Sequence, residues 1–404
     1  MANKGHYQKK KAAGGGWKKA LIAVLGVALL LCGLAAAGYY YLESKLGLIT
    51  QAQIEEQDTS GKDLSALIGK LDETEPTEFS MPEETTEATT VPEETTEATE
   101  ATEATTEAPT EPDYGQSGKI VNILVVGQDS RDGEESKLAD SIILFTLNKE
   151  TNTLTLTSFL RDSYVNLPNY YRGHTCGWNR INTSYALGYA WFGDGGAMEM
   201  LNLTLEDNYG VKVDGNVEIS FDTFITVIDM LGGIELEFVG DEYKQMLWWQ
   251  DVFNEHYEWL GVDTRIDFHE GVNLVNGDLA LEYARERHMN DSDNDMNRAN
   301  RQRIIISKVL EKCKQMSVLE LNNLLDAVLP QITTNISTDD MKMYIKELLP
   351  YIFNLEIVNN QCPAEGTYYG KMVDLPDGPG GVLMIDFNKN KEIMKGICYG
   401  ETTE

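Results

Sequence analysis

Hydrophobic residues after position 119 first follow the pattern of β-strands. Apolar and β-branched residues fill 121–126, 141–147 and 153–159, and a polar turn at 148–152 separates the last two runs. This predicts an antiparallel meander of three strands, in which the pairing of the first strand with the second is assumed from chain order. The end of the first strand, the start of the second and the end of the third would then lie at one rim of the sheet.

Helical and extended patterns alternate along the rest of this region. Two extended runs lie at 217–221 and 234–239, and one or two strands are expected within 355–384. The predicted helices cover 185–192, 197–208, 222–231, 277–284, 298–314, 318–328 and 338–349. This alternation predicts a layered α/β domain over 119–404.

An uncharged run at 20–42 is long enough to cross a bilayer, which takes about 20 apolar residues. Six lysines within 1–19 precede it, so the positive-inside rule predicts a cytoplasmic tail, a single membrane helix and an extracellular remainder in a bacterial cell membrane. A cleaved signal peptide is the alternative, because small residues at 35–37 could form a cleavage site. An uncleaved anchor is favoured because signal h-regions usually have only about 7–15 residues.

The stretch 43–118 is expected to be a disordered linker rich in Thr, Glu and Pro. Residues 72–113 contain fifteen acids and neither Lys nor Arg, and residues 82–89 recur at 92–99. A coil of about 75 residues has dimensions of about 50 Å, which would let the domain move between membrane and wall. These acids carry almost half of the net charge of −32, and the overall acidity argues against nucleic acid as a partner.

Four cysteines, at 176, 313, 362 and 398, would lie outside the cell, where disulfides persist. A Cys362–Cys398 disulfide is favoured among three connectivities, with unpaired buried thiols as the alternative. The absence of Cys-x-x-Cys spacing from the sequence argues against structural zinc.

The predicted rim of the meander collects acids and arginines. These are Asp129, Arg131, Asp140 and Arg161. Aspartates in this position could bind a hard divalent cation, because Mg²⁺ is typically held by one or two carboxylates together with phosphates and water. The alternative is that the aspartates are turn and capping residues. The arginines beside them offer planar donor groups suited to phosphate oxygens.

A second set of arginines follows later in the chain. Arg285 and Arg287 would face the same way only if their helix has ended, while Arg298, Arg301 and Gln302 share one helix face. The alternative for this face is an exposed polar surface. The sequence contains neither a Gly-x-Ser-x-Gly elbow nor a P-loop. Phosphoryl chemistry based on a metal and arginines is what remains.

Seven motifs in order over 120–314 resemble the LytR-CpsA-Psr family. They are Gly127-Gln128-Asp129-Ser130-Arg131, Ala139-Asp140-Ser141, Ser158-Phe159-Leu160-Arg161-Asp162, Arg180-Ile181-Asn182-Thr183-Ser184-Tyr185-Ala186, Asp229-Met230-Leu231-Gly232-Gly233-Ile234, the stretch 277–287 and the stretch 295–302. The resemblance implies a layered α/β/α fold with a central mixed sheet, completed by 315–404. Leu160 stands where the family usually has proline, and Arg180 where lysine is more common.

The resemblance also implies a membrane-anchored enzyme that transfers a glycopolymer from a polyprenyl-pyrophosphate carrier to peptidoglycan. Asp129 and Asp140 would hold Mg²⁺ or Mn²⁺, and either is a candidate base. Arg161 would act at the reacting pyrophosphate. The other residues that would bind the pyrophosphate are Arg131, Arg180, Asn182, Arg285, Arg287, Arg298, Arg301 and Gln302.

Two other functions use the same residues. A pyrophosphatase would release the carrier with water as the acceptor, and a non-catalytic wall-binding or signalling protein would only hold the phosphorylated polymer. The combination of Asp129, Asp140 and Arg161 favours catalysis over binding alone.

Overall fold

The structure is a computed structural model that describes residues 45–71, 79, 81, 119–128, 137–260, 268–286, 295–313, 315–348 and 355–400. The predicted tail at 1–19 and membrane helix at 20–42 lie outside these residues. Among the described residues, no helix has the length and apolar character needed to cross a membrane.

A mixed sheet of seven strands forms the centre of the fold, as the sequence predicts. In spatial order its strands are β1 (Thr50–Gln51), β12 (Thr333–Thr334), β9 (Gly215–Ser220), β2 (Ile120–Gln128), β3 (Ala139–Asn148), β4 (Thr153–Phe159) and β13 (Glu356–Cys362). The meander is confirmed, because β3 pairs antiparallel with both β2 and β4. Three pairs are parallel: β2 with β9, β4 with β13, and β1 with β12.

Four small ribbons lie outside this sheet. They are β5 (Tyr164–Asn166) with β8 (Trp178–Arg180), β6 (Tyr170–Tyr171) with β7 (His174–Thr175), β10 (Ile234–Phe238) with β11 (Gly271–Val275), and β14 (Tyr368–Leu375) with β15 (Gly378–Ile385). All four pairs are antiparallel.

The helices of the described residues follow the predicted order with three additions, α1, α4 and α9. They are α1 (Ser65–Ile68), α2 (Ile181–Tyr209), α3 (Phe221–Met230), α4 (Gly240–Leu260), α5 (Gly277–Arg285), α6 (Asp295–Cys313), α7 (Val318–Val328), α8 (Thr338–Leu348) and α9 (Phe387–Tyr399). The two helices predicted at 185–192 and 197–208 are the halves of α2. They meet at a kink where Gly193 has φ +66°, a conformation that favours glycine.

Helices cover both faces of the sheet. Ile123 and Ile143 belong to one buried cluster, which includes Ile305 of α6, while their neighbours Leu124 and Ile142 belong to a second cluster with residues of α2 and α9. Successive residues of a strand point to opposite faces, so each cluster fills one side of the sheet. The layered α/β/α arrangement is therefore confirmed.

The prediction of a disordered linker over 43–118 is wrong for residues 45–71. Residues 45–71 pack on the domain: β1 extends the edge of the sheet, and Thr50 N donates to Ile332 O at 3.0 Å. Leu46 and Ile49 are buried in the first cluster, with only 1% and 7% exposure. Their apolar side chains explain the difference, since the acid-rich composition begins only at Asp72.

The predicted Cys362–Cys398 disulfide is not present, and all four cysteines of the described residues are buried and reduced. Cys362 ends β13 and Cys398 lies on α9, and both belong to the second cluster. Burial raises the pKa of the Cys398 thiol to about 12. Both side chains therefore act as small apolar core residues.

Candidate functional site

An ion pair between Asp140 and Arg161 marks one rim of the sheet. Asp140 is the second residue of β3, and Arg161 follows the end of β4, so antiparallel pairing brings them to the same end. Arg161 Nη1 donates to Asp140 Oδ1 at 2.7 Å. The side chains are 14% and 27% exposed, so the pair is partly accessible from solvent. The predicted convergence of Asp140 and Arg161 is confirmed.

Asp162 joins this pair to Arg180. Its Oδ1 lies 3.7 Å from Arg161 Nε and 3.6 Å from Arg180 Nε. Arg180 ends β8 and directly precedes α2, and it also donates from Nε and Nη2 to the carbonyl oxygen of Gly381 at 3.2 and 3.0 Å. The carboxylate of Asp162 therefore holds two predicted phosphate-binding arginines side by side.

The hairpin of β14 and β15 supports the same rim. Leu383 N donates to Asp162 O at 2.9 Å. A Cβ atom at Gly380 would lie 2.4 Å from Arg180 Nη2, so a larger residue there would displace the guanidinium. Sequence reasoning missed this role, for which the run Gly378-Pro379-Gly380-Gly381 is the available signal.

Gln302 connects α6 to the strand that carries Asp140. Ser141 Oγ donates to Gln302 Oε1 at 3.0 Å, and Gln302 Nε2 donates to Ala284 O at 3.4 Å. The second bond reaches the last turn of α5. Gln302 thus lies between the Asp140 rim and the second group of arginines.

The arginines of α6 are buried, which contradicts the alternative of an exposed polar face. Arg298 and Arg301 are 4% and 5% exposed. Arg301 Nη2 donates to Glu286 O, and its guanidinium lies 5.8 Å from the centre of the Tyr283 ring. The cation–π geometry and the carbonyl hold Arg301 against the end of α5.

The end of α5 has the conformation that the spacing of Arg285 and Arg287 requires. The helix ends at Arg285, and Glu286 is extended with φ −61° and ψ 141°. Arg285 Nη1 lies 3.2 Å from Glu282 Oε1. Arg287 lies outside the described residues.

The side chain of Glu286 is fixed by α4, an element that the sequence pattern did not predict. Glu286 Oε2 accepts from Gln245 Nε2 and Trp249 Nε1, each at 3.2 Å. These contacts orient the backbone between Arg285 and Arg287. Helix α4 therefore positions the second group of arginines.

A buried carboxylate, Glu218 on β9, organises the other side of the rim. Its Oε1 accepts from Gln128 Nε2 at 2.9 Å and from Lys137 Nζ at 3.0 Å, and its Oε2 accepts from Tyr185 OH. Lys137 Nζ also donates to Asp194 Oδ1 at 2.6 Å. Burial alone would lower the pKa of Lys137, but Glu218 and Asp194 outweigh it and raise that pKa.

This cluster joins both ends of a segment that carries two predicted site residues. Gln128 directly precedes Asp129, and Lys137 follows the segment that contains Arg131. Asp129 and Arg131 lie outside the described residues. Glu218 and Lys137 were not among the predicted residues, since a single acid within an apolar strand gives no signal of function.

The remaining predicted residue, Asn182, lies in the first turn of α2 and is 6% exposed. Its Oδ1 is buried, and no hydrogen bond reaches that atom. Asn182 follows Arg180 by two residues in the chain, at the start of α2.

The predicted metal ligands Asp129 and Asp140 would offer carboxylate oxygens, which are the ligands that a hard divalent cation prefers. Asp140 is the described member, and its side chain is 27% exposed. Within the described part of the chain, no three His, Cys, Asp or Glu side chains are grouped as a metal site. A cation bound through Asp129, Asp140 and substrate phosphates would need fewer protein ligands than that.

The sequence of the chain matches the model of one protein family. The model of the LytR-CpsA-Psr family (LytR_cpsA_psr) matches residues 84–374, more than half of the 404 residues. The chain belongs to the LytR-CpsA-Psr family. The resemblance stated from the seven motifs is confirmed.

Two curated relatives are similar over most of the domain. Biofilm regulatory protein A of Streptococcus mutans serotype c is 30% identical over 282 residues, which are 64% of this chain and 62% of that protein. The polyisoprenyl-teichoic acid–peptidoglycan teichoic acid transferase TagU of Bacillus licheniformis is 28% identical over 254 residues, which are 62% of this chain and 72% of TagU. The chain thus spans less than two thirds of the first relative.

Solved structures of LytR-CpsA-Psr-like fold agree with the architecture. The crystal structure of protein gbs0355 from Streptococcus agalactiae matches with a TM-score of 0.53 and 25% identity, covering 72% of this chain and 91% of that chain. A structure described as TagT bound to LIIa-WTA matches with a TM-score of 0.50 and 21% identity, covering 72% and 94%. The second likeness shows the fold alone.

Proposed function

We propose that this protein transfers a glycopolymer from a polyprenyl-pyrophosphate carrier to peptidoglycan and leaves a phosphodiester link. The main observation in support of this proposal is the rim of the sheet, where Arg161 pairs with Asp140 and Asp162 holds Arg161 beside Arg180. Membership of the LytR-CpsA-Psr family supports the reaction class, because relatives such as TagU are named as teichoic acid transferases.

Each group of residues has a part in this reaction. Arg161 and Arg180 would bind oxygens of the pyrophosphate, since guanidinium groups match phosphate geometry. Arg285, Arg298 and Arg301 would bind it from the side of α6, together with Asn182, Gln302, Arg131 and Arg287. Preorganised cations stabilise charge that develops on a leaving phosphate without further rearrangement.

Asp140 and Asp129 would hold Mg²⁺ or Mn²⁺. When bound, such a cation supplies additional positive charge to the pyrophosphate oxygens. The Arg161 ion pair fixes the orientation of the Asp140 carboxylate toward this rim.

The bond changes balance without a further co-reactant. A hydroxyl oxygen of an acceptor sugar attacks the phosphorus that carries the glycan and forms a new phosphorus–oxygen bond. The bond from that phosphorus to the bridging oxygen breaks, and polyprenyl phosphate leaves with the electron pair. The hydroxyl proton passes to a base, for which Asp129 and Asp140 are the candidates.

The proposed location is the outer face of a bacterial cell membrane, anchored by residues 20–42 with the N-terminus inside. The basic residues ahead of this uncharged run support the orientation. The carrier lipid and the peptidoglycan would both be within reach of a domain that follows the anchor.

The test is transfer of a labelled polyprenyl-pyrophosphate glycan to purified peptidoglycan by the full-length chain, with Mg²⁺ and with a chelator. Arg161→Ala should abolish the attached product. Lys119→Ala is the matched control, because Lys119 forms an exposed ion pair with Glu150 at the opposite end of the sheet. Product that requires Mg²⁺, is lost in the first variant and is retained in the second supports the transferase.

Two outcomes contradict the proposal. Release of phosphorylated glycan without attachment would identify a pyrophosphatase, in which water replaces the sugar hydroxyl. Tight binding of the substrate without any turnover would identify a non-catalytic binding protein.

A further inference from the structure

Asn179 is a buried residue that takes no part in the proposed reaction. It lies in β8 directly before Arg180 and is only 2% exposed. Its Nδ2 donates to Ala66 O at 2.8 Å and to Leu67 O at 3.2 Å, and its Oδ1 accepts from Arg180 N at 2.8 Å. A carboxamide offers two amide protons and one carbonyl oxygen, and all three are used here. One side chain thus connects the docked segment 45–71 to the backbone of Arg180.

The backbone of segment 45–71 also pairs with β8. Lys70 N donates to Trp178 O at 3.0 Å, and Trp178 N donates to Lys70 O at 2.9 Å. Gly177 N donates to Ile68 O at 3.0 Å. A Cβ atom at Gly177 would overlap Lys70 O, so a side chain there would push the two backbones apart. The segment therefore fits closely against β8.

Strand β8 needs this support, because its other edge belongs to a ribbon of only two short strands. Tyr164 of β5 pairs with Arg180, and Ile181 N donates to Ser163 O at 2.9 Å. A two-stranded ribbon is at best marginally stable in isolation, and a third strand is usually required. Segment 45–71 supplies that third backbone beside β8.

The contacts of the Arg180 guanidinium depend on where β8 ends. Its Nε and Nη2 atoms donate to Gly381 O at 3.2 and 3.0 Å, and Nε lies 3.6 Å from Asp162 Oδ1. These contacts require the backbone of Arg180 to keep its position, because N–H···O bonds span only about 2.7–3.2 Å. The carboxamide of Asn179 holds that backbone at its amide nitrogen.

We propose that Asn179 is a positioning residue for Arg180 and that it transmits the docking of residues 45–71 to the candidate site. This inference rests on the proposed function, because it concerns an arginine that would bind the pyrophosphate. The docked segment supplies two carbonyl acceptors that orient the Asn179 side chain, and its Oδ1 then fixes the amide of Arg180. The site is complete only when the segment is docked.

The test is calorimetric titration of the purified full-length chain with inorganic pyrophosphate and Mg²⁺, together with unfolding in urea. Arg180→Ala should reduce the affinity by about tenfold or more, as expected for a lost charge-assisted hydrogen bond. Asn179→Ala should reduce it by about fivefold, the effect of one ordinary hydrogen bond. The double variant should bind as Arg180→Ala does, because two changes that act through one residue are not additive.

Asn273→Ala is the matched control, because it removes the same three kinds of hydrogen bond. Asn273 is 4% exposed, its Nδ2 donates to His269 O and Gly271 O, and its Oδ1 accepts from His269 N. It lies in β11, which belongs to a separate ribbon. This variant should unfold at a lower urea concentration than the wild type but keep the wild-type affinity for pyrophosphate.

Gly177→Ala tests the docked segment without changing Asn179. The added methyl group should separate the segment from β8, so the affinity should fall as it does in Asn179→Ala. Gly370→Ala is the control for this change, because a Cβ atom at Gly370 in β14 would have no described atom within 4 Å. It should bind pyrophosphate as the wild type does. If Asn179→Ala does not fold, Gly177→Ala alone decides the test.

Four results would overturn the assignment. Wild-type affinity in Asn179→Ala and Gly177→Ala, together with weakened binding in Arg180→Ala, would reject the positioning role and leave the proposed function standing. Additive losses in the double variant would show that Asn179 does not act through Arg180. An equal loss of affinity in Asn273→Ala would show a general effect of reduced stability. Failure of the wild-type chain to bind pyrophosphate would reject both the assignment and the proposed function.

Discussion

Replacement of Glu218 by glutamine should strongly destabilise the protein. The carboxylate is buried and accepts hydrogen bonds from Gln128, Lys137 and Tyr185, with the residue only 5% exposed. Glutamine keeps one acceptor oxygen and places an amide donor where the second oxygen accepted. At least one of the three donors then loses its partner.

The magnitude follows from the partners that remain. Breaking a buried ion pair from one side typically costs about 3–5 kcal/mol. Lys137 is 19% exposed and retains Asp194, whose side chain is 32% exposed, so part of that cost is avoided. We therefore expect a loss of about 2–3 kcal/mol, which is large against a typical total of about 5–15 kcal/mol.

Urea denaturation of the full-length chain, followed by tryptophan fluorescence, measures this loss. Glu150→Gln is the matched control, because Glu150 pairs with Lys119 at 2.7 Å while both side chains are more than half exposed. An exposed pair contributes only about 0–1 kcal/mol. Equal denaturation midpoints for the two variants would refute the reasoning.

Two further variants test separate parts of the account. Arg161→Lys keeps the charge but loses the planar donor geometry of the guanidinium, so polymer transfer should fall by about tenfold or more; an unchanged rate would show that charge alone is enough. Ile49→Ala should lower the free energy of unfolding, measured by urea denaturation, by about 2–4 kcal/mol, because the side chain is buried. Leu48→Ala is the control and should be nearly neutral, because Leu48 is 42% exposed. Equal effects of the two variants would show that residues 45–71 do not pack on the domain.

The strands and helices with strong local patterns were predictable from sequence. Strands β2 and β3 are continuous apolar runs, β4 alternates Thr with Leu, and a polar turn joins β3 to β4. Helix α5 begins at an Asn276 cap that accepts from Leu279 N. Helix α4 was not predicted, because aromatic residues such as the 54% exposed Trp248 interrupt its polar face. Strand β1 has two residues, and its pairing with β12 depends on contacts across most of the chain.

The candidate site was predictable where chain direction alone brings residues together. Antiparallel pairing of β3 and β4 is enough to place Asp140 beside Arg161. The role of Glu218 was not predictable, because its partners come from three separate segments. The burial of Arg298 and Arg301 depends on how α6 packs, and a helical pattern cannot distinguish a buried arginine from an exposed one.

The docking of residues 45–71 changes the meaning of the acid-rich segment after it. Lys70, just before this segment, donates from its backbone N to Trp178 O at 3.0 Å. Lys119, just after it, directly precedes strand β2 of the central sheet. The residues on both sides of 72–118 therefore belong to the same folded body, so in chain order this stretch is an insertion within the domain. An anchor at 20–42 would be separated from the first docked residues by only two positions. The length of the acidic segment then does not set the height of the site above a membrane, and shortening it should leave that height unchanged.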